Sequence, residues 1–285
     1  MNKGGVYLKA FIAFIIWSFV GVILNKSSFT AFQNIFLSSL LSFLWFLLII
    51  IWKNELNSIK KIKLNSLLMA LVVVSGIAGV MWLSSLTLMP VAQALFLFNI
   101  IPVFALLIEL FVLKQKVKPI HIVAIGTGLL GIFILVSNGL IISRGNFLSF
   151  TSLLVLGAAF LYAVQGNIIK KLGSSYSFEI MMLAIMGAQA IVGWLLVFRS
   201  TWHFDSFSLA GTILLSIFSW VFAYYFYIGA LKGLKVSTVR LIGYVEPLLG
   251  SIWGVVFLSQ ALVPVTVFGG FFILLASYMA IRSGE

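Results

Sequence analysis

Residues 30–52 read TAFQNIFLSSLLSFLWFLLIIIW, and after Thr30 the stretch passes through 22 residues without a single charge. A helix rises about 1.5 Å per residue, so this run is long enough to cross the ~30 Å hydrocarbon layer of a bilayer. Working outward, the same texture recurs along the chain. Ten apolar segments can be marked, at 6–24, 30–52, 64–86, 90–113, 120–138, 149–169, 178–198, 209–230, 236–258 and 263–281. In lipid every backbone N–H and C=O must be paired within the protein, which leaves helices or a closed barrel. Barrel strands alternate polar and apolar residues, whereas these segments are apolar on consecutive positions. The expected fold class is an all-α integral membrane protein with ten transmembrane helices.

Composition agrees. The chain of 285 residues is 62% hydrophobic and 8% charged, with mean hydropathy +1.21, where a soluble domain carries roughly a quarter charged residues. There is no cysteine, which excludes disulfides, thiol catalysis and thiolate metal sites. The net charge of +12 is spread over short connectors rather than one soluble face. It therefore suits anionic lipid headgroups and topology setting, not nucleic acid. Lys3 and Lys9 before an apolar run resemble a signal peptide, but no small-residue cleavage pattern follows Leu24-Asn25-Lys26, so residues 6–24 read as a first span.

With the N-terminus in the cytoplasm, fourteen of the eighteen Lys and Arg residues fall on the inner side: Lys3, Lys9, Lys53, Lys60, Lys61, Lys63, Lys114, Lys116, Lys118, Lys170, Lys171, Lys232, Lys235 and Arg282. Three fall outside (Lys26, Arg144, Arg199), and Arg240 falls within a span. This bias places both termini in the cytoplasm and the chain in a bacterial inner membrane.

An internal repeat appears when the chain is slid against itself by 145 residues. Ala13 meets Ala158, Trp17 meets Tyr162, Gly21 meets Gly166, Trp82 meets Tyr227, Pro102 meets Pro247, Leu113 meets Leu258 and Gln115 meets Gln260. Five spans per half is an odd number, so the halves, 1–142 and 143–285, would be inverted relative to each other. A substrate site would then lie near the midplane between them.

At Asn99-Ile-Ile-Pro102-Val-Phe-Ala-Leu-Leu-Ile-Glu-Leu-Phe-Val-Leu113, with Gly126, Gly128 and Gly131 beyond, the chain resembles the fourth and fifth helices of an EamA domain. Glu246-Pro247-Leu-Leu-Gly-Ser-Ile-Trp-Gly-Val-Val-Phe-Leu258 with Gly269-Gly270 resembles the ninth and tenth. This is the drug/metabolite transporter superfamily, with two EamA repeats over the whole chain. The resemblance implies export or exchange of small metabolites such as amino acids, with some members importing metabolites or carrying nucleotide-linked compounds. One departure stands out. The family commonly has Gly-Glu after the apolar run, where this chain has Lys114-Gln115 and Ser259-Gln260, so no role of that glutamate carries over.

Candidate functional residues are the polar ones at depth. Ionisable side chains inside spans cost several kcal/mol unless they face the bundle interior, about 2.5–3.5 kcal/mol at the centre of a helix. Three qualify: Glu109, Arg240 and Glu246. Glu246 precedes Pro247, which removes a backbone donor and opens the helix; its carboxyl could bind a substrate ammonium or carry a proton, or make a structural hydrogen bond. Glu109 and Arg240 lie toward the cytoplasmic ends of repeat-equivalent helices, where an ion pair between them would act as a gate. Alternatively each snorkels to the headgroups, or Arg240 binds a substrate carboxylate. Pro102 and Pro247 mark the helix interruptions.

Gln93, Asn99, Gln165 and Asn167 are ligand contacts or interhelical glue in equal measure. Trp17, Trp82, Tyr162, Trp220, Tyr224, Tyr225, Tyr227 and Tyr244 could line a cavity that stacks flat or cationic substrates; packing in the core or against lipid is their ordinary role. Trp17, Tyr162, Trp82 and Tyr227 rank first because the repeat relates them in pairs. The spacings Gly229/Gly233 and Gly250/Gly254 let helices approach and would also suit a homodimer.

No P-loop, metal-ligand spacing or Ser/His/Asp set is found, and no cofactor is expected. His121 and His203 lie in or beside loops and read as solvated or headgroup residues. The leading reading is a secondary transporter of a small metabolite, with Trp17, Trp82, Gln93, Asn99, Tyr162, Gln165, Tyr224, Tyr227, Tyr244 and Glu246 around the substrate. Glu109, Arg240, Glu246, Pro102 and Pro247 would gate or couple. The alternatives are a lipid or polyprenyl-carrier flippase, uptake of a nucleotide-like metabolite, and, further off, a membrane enzyme or scaffold.

Overall fold

The computed structural model describes residues 3–55, 65–88, 91–137, 150–259 and 264–282, and every described secondary-structure element is helical. Several sequence expectations fall outside the described residues: those at Lys60, Lys61 and Lys63, at Arg144, at the division of the halves at 142/143, and at Gln260. Each apolar segment holds a helix. Seven helices are long and apolar enough to cross a membrane, within 4–26, 31–52, 66–85, 150–172, 178–197, 206–231 and 236–258. Shorter apolar helices occupy 101–112, 119–134 and 267–282.

Several segments are interrupted. The first is α1 (Lys3–Ser18) and α2 (Val20–Lys26); the second and third are α3 (Ala31–Trp52) and α4 (Ser66–Leu88). The fourth, expected as one helix, is α5 (Val91–Phe98), a break at Asn99-Ile100, then α6 (Ile101–Leu107) running into a wide π-turn at Ile108–Val112. The fifth to seventh are α7 (Pro119–Ser137), α8 (Phe150–Leu172) and α9 (Phe178–Val197). The eighth is α10 (Ser206–Leu214), a π-turn at Leu215–Phe222, then α11 (Ala223–Leu231). The ninth is α12 (Val236–Ile242), a break at Gly243-Tyr244, then α13 (Val245–Leu258); the tenth is α14 (Pro264–Arg282).

The fourth and ninth breaks answer to each other, since Asn99 and Tyr244 are 145 residues apart. Pro102 and Pro247 do not sit at the breaks but in the first turns of α6 and α13. There the missing N–H has no intrahelical partner to lose, and the fixed φ suits a helix start. The prolines thus begin second half-helices, and the chain turns two to four residues earlier than the prolines alone suggest.

The helix contacts carry the repeat into three dimensions. α3 packs on α9, and α7 on α14, each pair joining equivalent segments of the two halves. α4–α8 has its mate in α11–α1, and α6–α8 has its mate in α13–α1. The second and seventh segments, α3 and α9, are tied at both ends. Lys53 Nζ meets Glu179 Oε1 at 2.6 Å at one, and Gln33 Nε2 donates to Thr201 O at 2.8 Å and Ser200 Oγ at 3.2 Å at the other.

Glycines let the helices close. A Cβ on Gly131 would stand 2.7 Å from Gly269 O and 2.9 Å from Ile273 N, so α7 and α14 touch backbone to backbone. Gly229 and Gly233 of the eighth segment meet Lys9 and Val6 of α1. That GxxxG face is therefore occupied within the chain, not left open for a second copy. The same contacts put the start of α1 at the end of the bundle where α12 begins.

Candidate functional site

Five segments bring aromatic side chains together, and an arginine from a sixth joins them into one row. Trp82 of α4 stacks on Phe98 of α5 with centroids 3.9 Å apart, and Phe98 meets Tyr162 of α8 edge-on at 5.3 Å. Tyr227 of α11 meets Trp17 of α1 at 5.4 Å, and Trp17 in turn touches Tyr224 at 5.2 Å and Phe14 at 5.3 Å. Trp17 is fixed by its indole N–H, which donates to Ser219 O at 2.9 Å in the eighth segment's π-turn. A π-turn widens the helix by one residue and releases carbonyls from the i→i−4 ladder.

Arg240 of α12 completes the row. Its guanidinium carbon lies 4.9 Å from the Tyr227 ring centroid and 6.0 Å from that of Tyr162. Both rings present π-electrons to the cation, an attraction that strengthens away from water. Arg240 Nε and Tyr227 Oη are buried and make no hydrogen bond among the described residues. Glu246, two residues past the ninth-segment break, makes no ion pair with Arg240. A cation and a carboxyl thus flank one helix break, the cation against aromatic faces.

The repeat-related quartet Trp17, Tyr162, Trp82 and Tyr227 therefore belongs to this row, with Tyr224, and the segments that meet in it are the first, third, fourth, sixth, eighth and ninth. Other expected residues are placed differently. Tyr244 is buried apart from the row, against Gly128 and Ala276 between α7 and α14, where the absent Gly128 side chain leaves room for its ring. Gln165 Nε2 donates to Ser75 Oγ at 2.8 Å, tying α8 to α4. Asn99 Nδ2 turns back to Leu95 O at 2.8 Å and caps its own half-helix at the break. The side chain of Gln93 lies outside the described residues.

The expected Glu109–Arg240 gate is not formed. The described residues show an ion pair at Lys53–Glu179 and none between Glu109 and Arg240. Glu109, 1% exposed, accepts from Ser237 N at 3.0 Å and from Ser237 Oγ. The reason is geometric: the wide turn at Ile108–Val112 carries Glu109 against the start of α12, whose free N–H groups and positive dipole end attract a carboxylate. His121 is likewise not in solvent. It is 1% exposed, inside the first turn of α7, with Nε2 3.0 Å from Thr238 Oγ1. Phe98, Phe14, Ser237, Thr238 and His121 were not singled out by sequence. Only the adjacent hydroxyls at the start of the ninth span, facing an unexplained buried acid, offered a hint.

A multi-pass helical membrane protein with two repeat-equivalent interrupted helices, one carrying a cation against aromatic faces, resembles a carrier in architecture. The chain belongs to the EamA-like transporter family, whose model matches residues 5–137 and again 149–282. It is a membrane transporter of the drug/metabolite type. A solved crystal structure superposes with a TM-score of 0.82 over 99% of this chain and 99% of its own, at 16% identity, which shows the shared fold. No curated protein sequence matches the chain.

Proposed function

We propose that the chain is a secondary transporter that moves a small metabolite across the bacterial inner membrane by alternating access, with ten spans and both termini cytoplasmic. An amino acid or related amine or aromatic solute, exported, fits the site best. The observation that carries this reading is the row Trp17–Tyr227–Arg240–Tyr162–Phe98–Trp82, with Glu246 across the ninth-segment break from Arg240. Flat apolar faces and a guanidinium whose Nε has no hydrogen-bond partner meet before that break, and a carboxyl stands in the first turn after it. The cation suits a carboxylate and the anion an ammonium, while Glu246 at depth could also carry a proton. The site is built from side chains of both halves, as an inverted-repeat carrier requires, and fourteen basic residues on one side support the orientation. A lipid or polyprenyl-carrier flippase and a nucleotide-like substrate are the competing readings.

The test is ligand-dependent thermal stabilisation of purified protein, because a solute that binds only the folded state raises its melting temperature. Amino acids, amines, nucleosides and lipid headgroups are compared on the parent chain and on Glu246→Gln. Stabilisation by one class of small solute, lost in Glu246→Gln, supports the proposal and sets the solute for flux assays. Stabilisation by lipids alone, equal in both proteins, overturns it in favour of the flippase.

A further inference from the structure

The first turn of α12 is held from several directions at once. Glu109 of the fourth segment takes both the backbone N–H, at 3.0 Å, and the hydroxyl of Ser237. His121 of α7 meets Thr238 Oγ1 at 3.0 Å. Lys170 at the end of α8 donates to Leu234 O at 2.6 Å. Lys235 donates to Lys116 O at 2.7 Å, in the connector after the fourth segment. Glu109, His121, Ser237 and Thr238 are all buried, so these contacts are shielded from water and costly to break singly.

The inverted repeat supplies an internal control. At the opposite end of the bundle, 145 positions away, Glu109 corresponds to Gly254, Ser237 to Ala92, His121 to Thr266 and Lys235 to Pro90. Neither glycine nor alanine has a side-chain donor or acceptor, so the central bond of the clamp has no counterpart there. The clamp is also mechanically connected to the site. Ser237 and Arg240 are three residues apart, on one face of a single short helix, so whatever moves the first turn of α12 moves Arg240 relative to Tyr162 and Tyr227.

We propose that this clamp is the gate at the end where α12 begins, with Glu109 as the positioning residue that holds Arg240 in the aromatic row and keeps that end shut. At the opposite end the equivalent positions, Gly254 and Ala92, supply no such bond between the two interrupted segments. The proposal rests on the alternating-access reading and adds to it which end is locked, and by which groups.

The absence of cysteine allows a clean test. Val239→Cys places a thiol at a buried position directly behind the clamp. Gly250→Cys places one beyond the break, where an added Cβ meets only Ser18 O, at 3.9 Å. Maleimide labelling rates of both reporters are measured on purified protein with Glu109 intact, with Glu109→Gln and with Glu109→Ala. Loss of a charged double hydrogen bond should raise labelling at Val239→Cys by about tenfold in Glu109→Ala. It should slow labelling at Gly250→Cys, and Glu109→Gln should fall between. Should Glu109→Ala not survive purification, Ser237→Ala, which keeps the backbone N–H, carries the same comparison.

Both reporters accelerating together would mark Glu109 as merely structural and overturn the proposal. So would no change at either. If a stabilising solute shifts the two reporters in opposite directions while the Glu109 variants do not, the gate assignment falls and the carrier reading stands. If neither the solute nor the variants shift them, both fall.

Discussion

Lys114 and Ser259 stand 145 positions apart and both take the left-handed backbone conformation, with φ of 51° and 54°. Each ends the helical run of a repeat-equivalent segment; Ser259 is the C-cap of α13 and returns its N–H to Gly254 O. A side chain in this region crowds the following carbonyl, at a cost of roughly 1 kcal/mol that glycine avoids. This explains why glycine is common here in EamA domains. Lys114→Gly and Ser259→Gly should each stabilise the protein by about 0.5–1 kcal/mol, seen as a higher melting temperature in detergent, and Ser259→Val should lower it.

The α7–α14 contact makes a paired prediction. Gly131→Ala pushes a methyl into the backbone at Gly269 and Ile273, which cannot yield as a side chain can, and should cost about 1–3 kcal/mol. Gly126→Ala, on the same helix but with nothing within 4 Å of the added carbon, should gain up to about 1 kcal/mol from helix propensity. Equal effects of the two in thermal melts would contradict the packing.

Arg240→Met removes a cation whose Nε has no partner. Arginine at the centre of a membrane helix costs roughly 2.5–3.5 kcal/mol, so relief of part of that should raise the melting temperature. The same change should abolish solute-induced stabilisation. Arg240→Lys keeps the charge but loses the planar stacking surface, and a weakened response is expected. A lower melting temperature with solute response intact would show that Arg240 serves structure only.

Asp205 lies outside the spans as N-cap of α10. It accepts from Ser208 N at 2.9 Å, from Ser208 Oγ at 2.6 Å and from Ser28 Oγ, linking the α2–α3 turn to the approach to α10. These donors, Ser208 first, hold its carboxyl pKa down at about 2. A depressed folded-state pKa gives stability that is complete above the unfolded value, near 4, and is lost as pH falls toward 2. The melting-temperature gap between the parent and Asp205→Asn should therefore be constant from pH 5 to 8 and shrink only below about 4. A gap that varies between pH 5 and 8 would place its origin elsewhere.

The spans were legible because lipid forces continuous apolar runs, and the repeat because equivalent helices kept their landmarks at one offset. Of the four residues that the repeat relates in pairs, Trp17 touches Tyr227, and Phe98 links Tyr162 to Trp82. What failed was partner choice across the bundle. Nothing in the sequence distinguishes a Glu109 that reaches Arg240 from one that reaches Ser237, because the answer turns on a π-turn without a residue signature. Tyr244 was misjudged for a similar reason. It faces Gly128, and a missing side chain 116 positions away is invisible along the chain. The prolines located the helix interruptions only approximately, since they mark where a new helix begins rather than where the old one stops.

The matched helix contacts have a further consequence. The frame is duplicated in part: α4–α8 is answered by α11–α1 and α6–α8 by α13–α1, so the loss of one of these contacts leaves its equivalent in the other half, whereas α3–α9 and α7–α14 each occur once. The charges do not share this insurance. Arg240 and Glu246 correspond to Leu95 and Ile101 in the first half, so the chemistry is single-copy. Duplication made part of the scaffold redundant and left one half free to specialise.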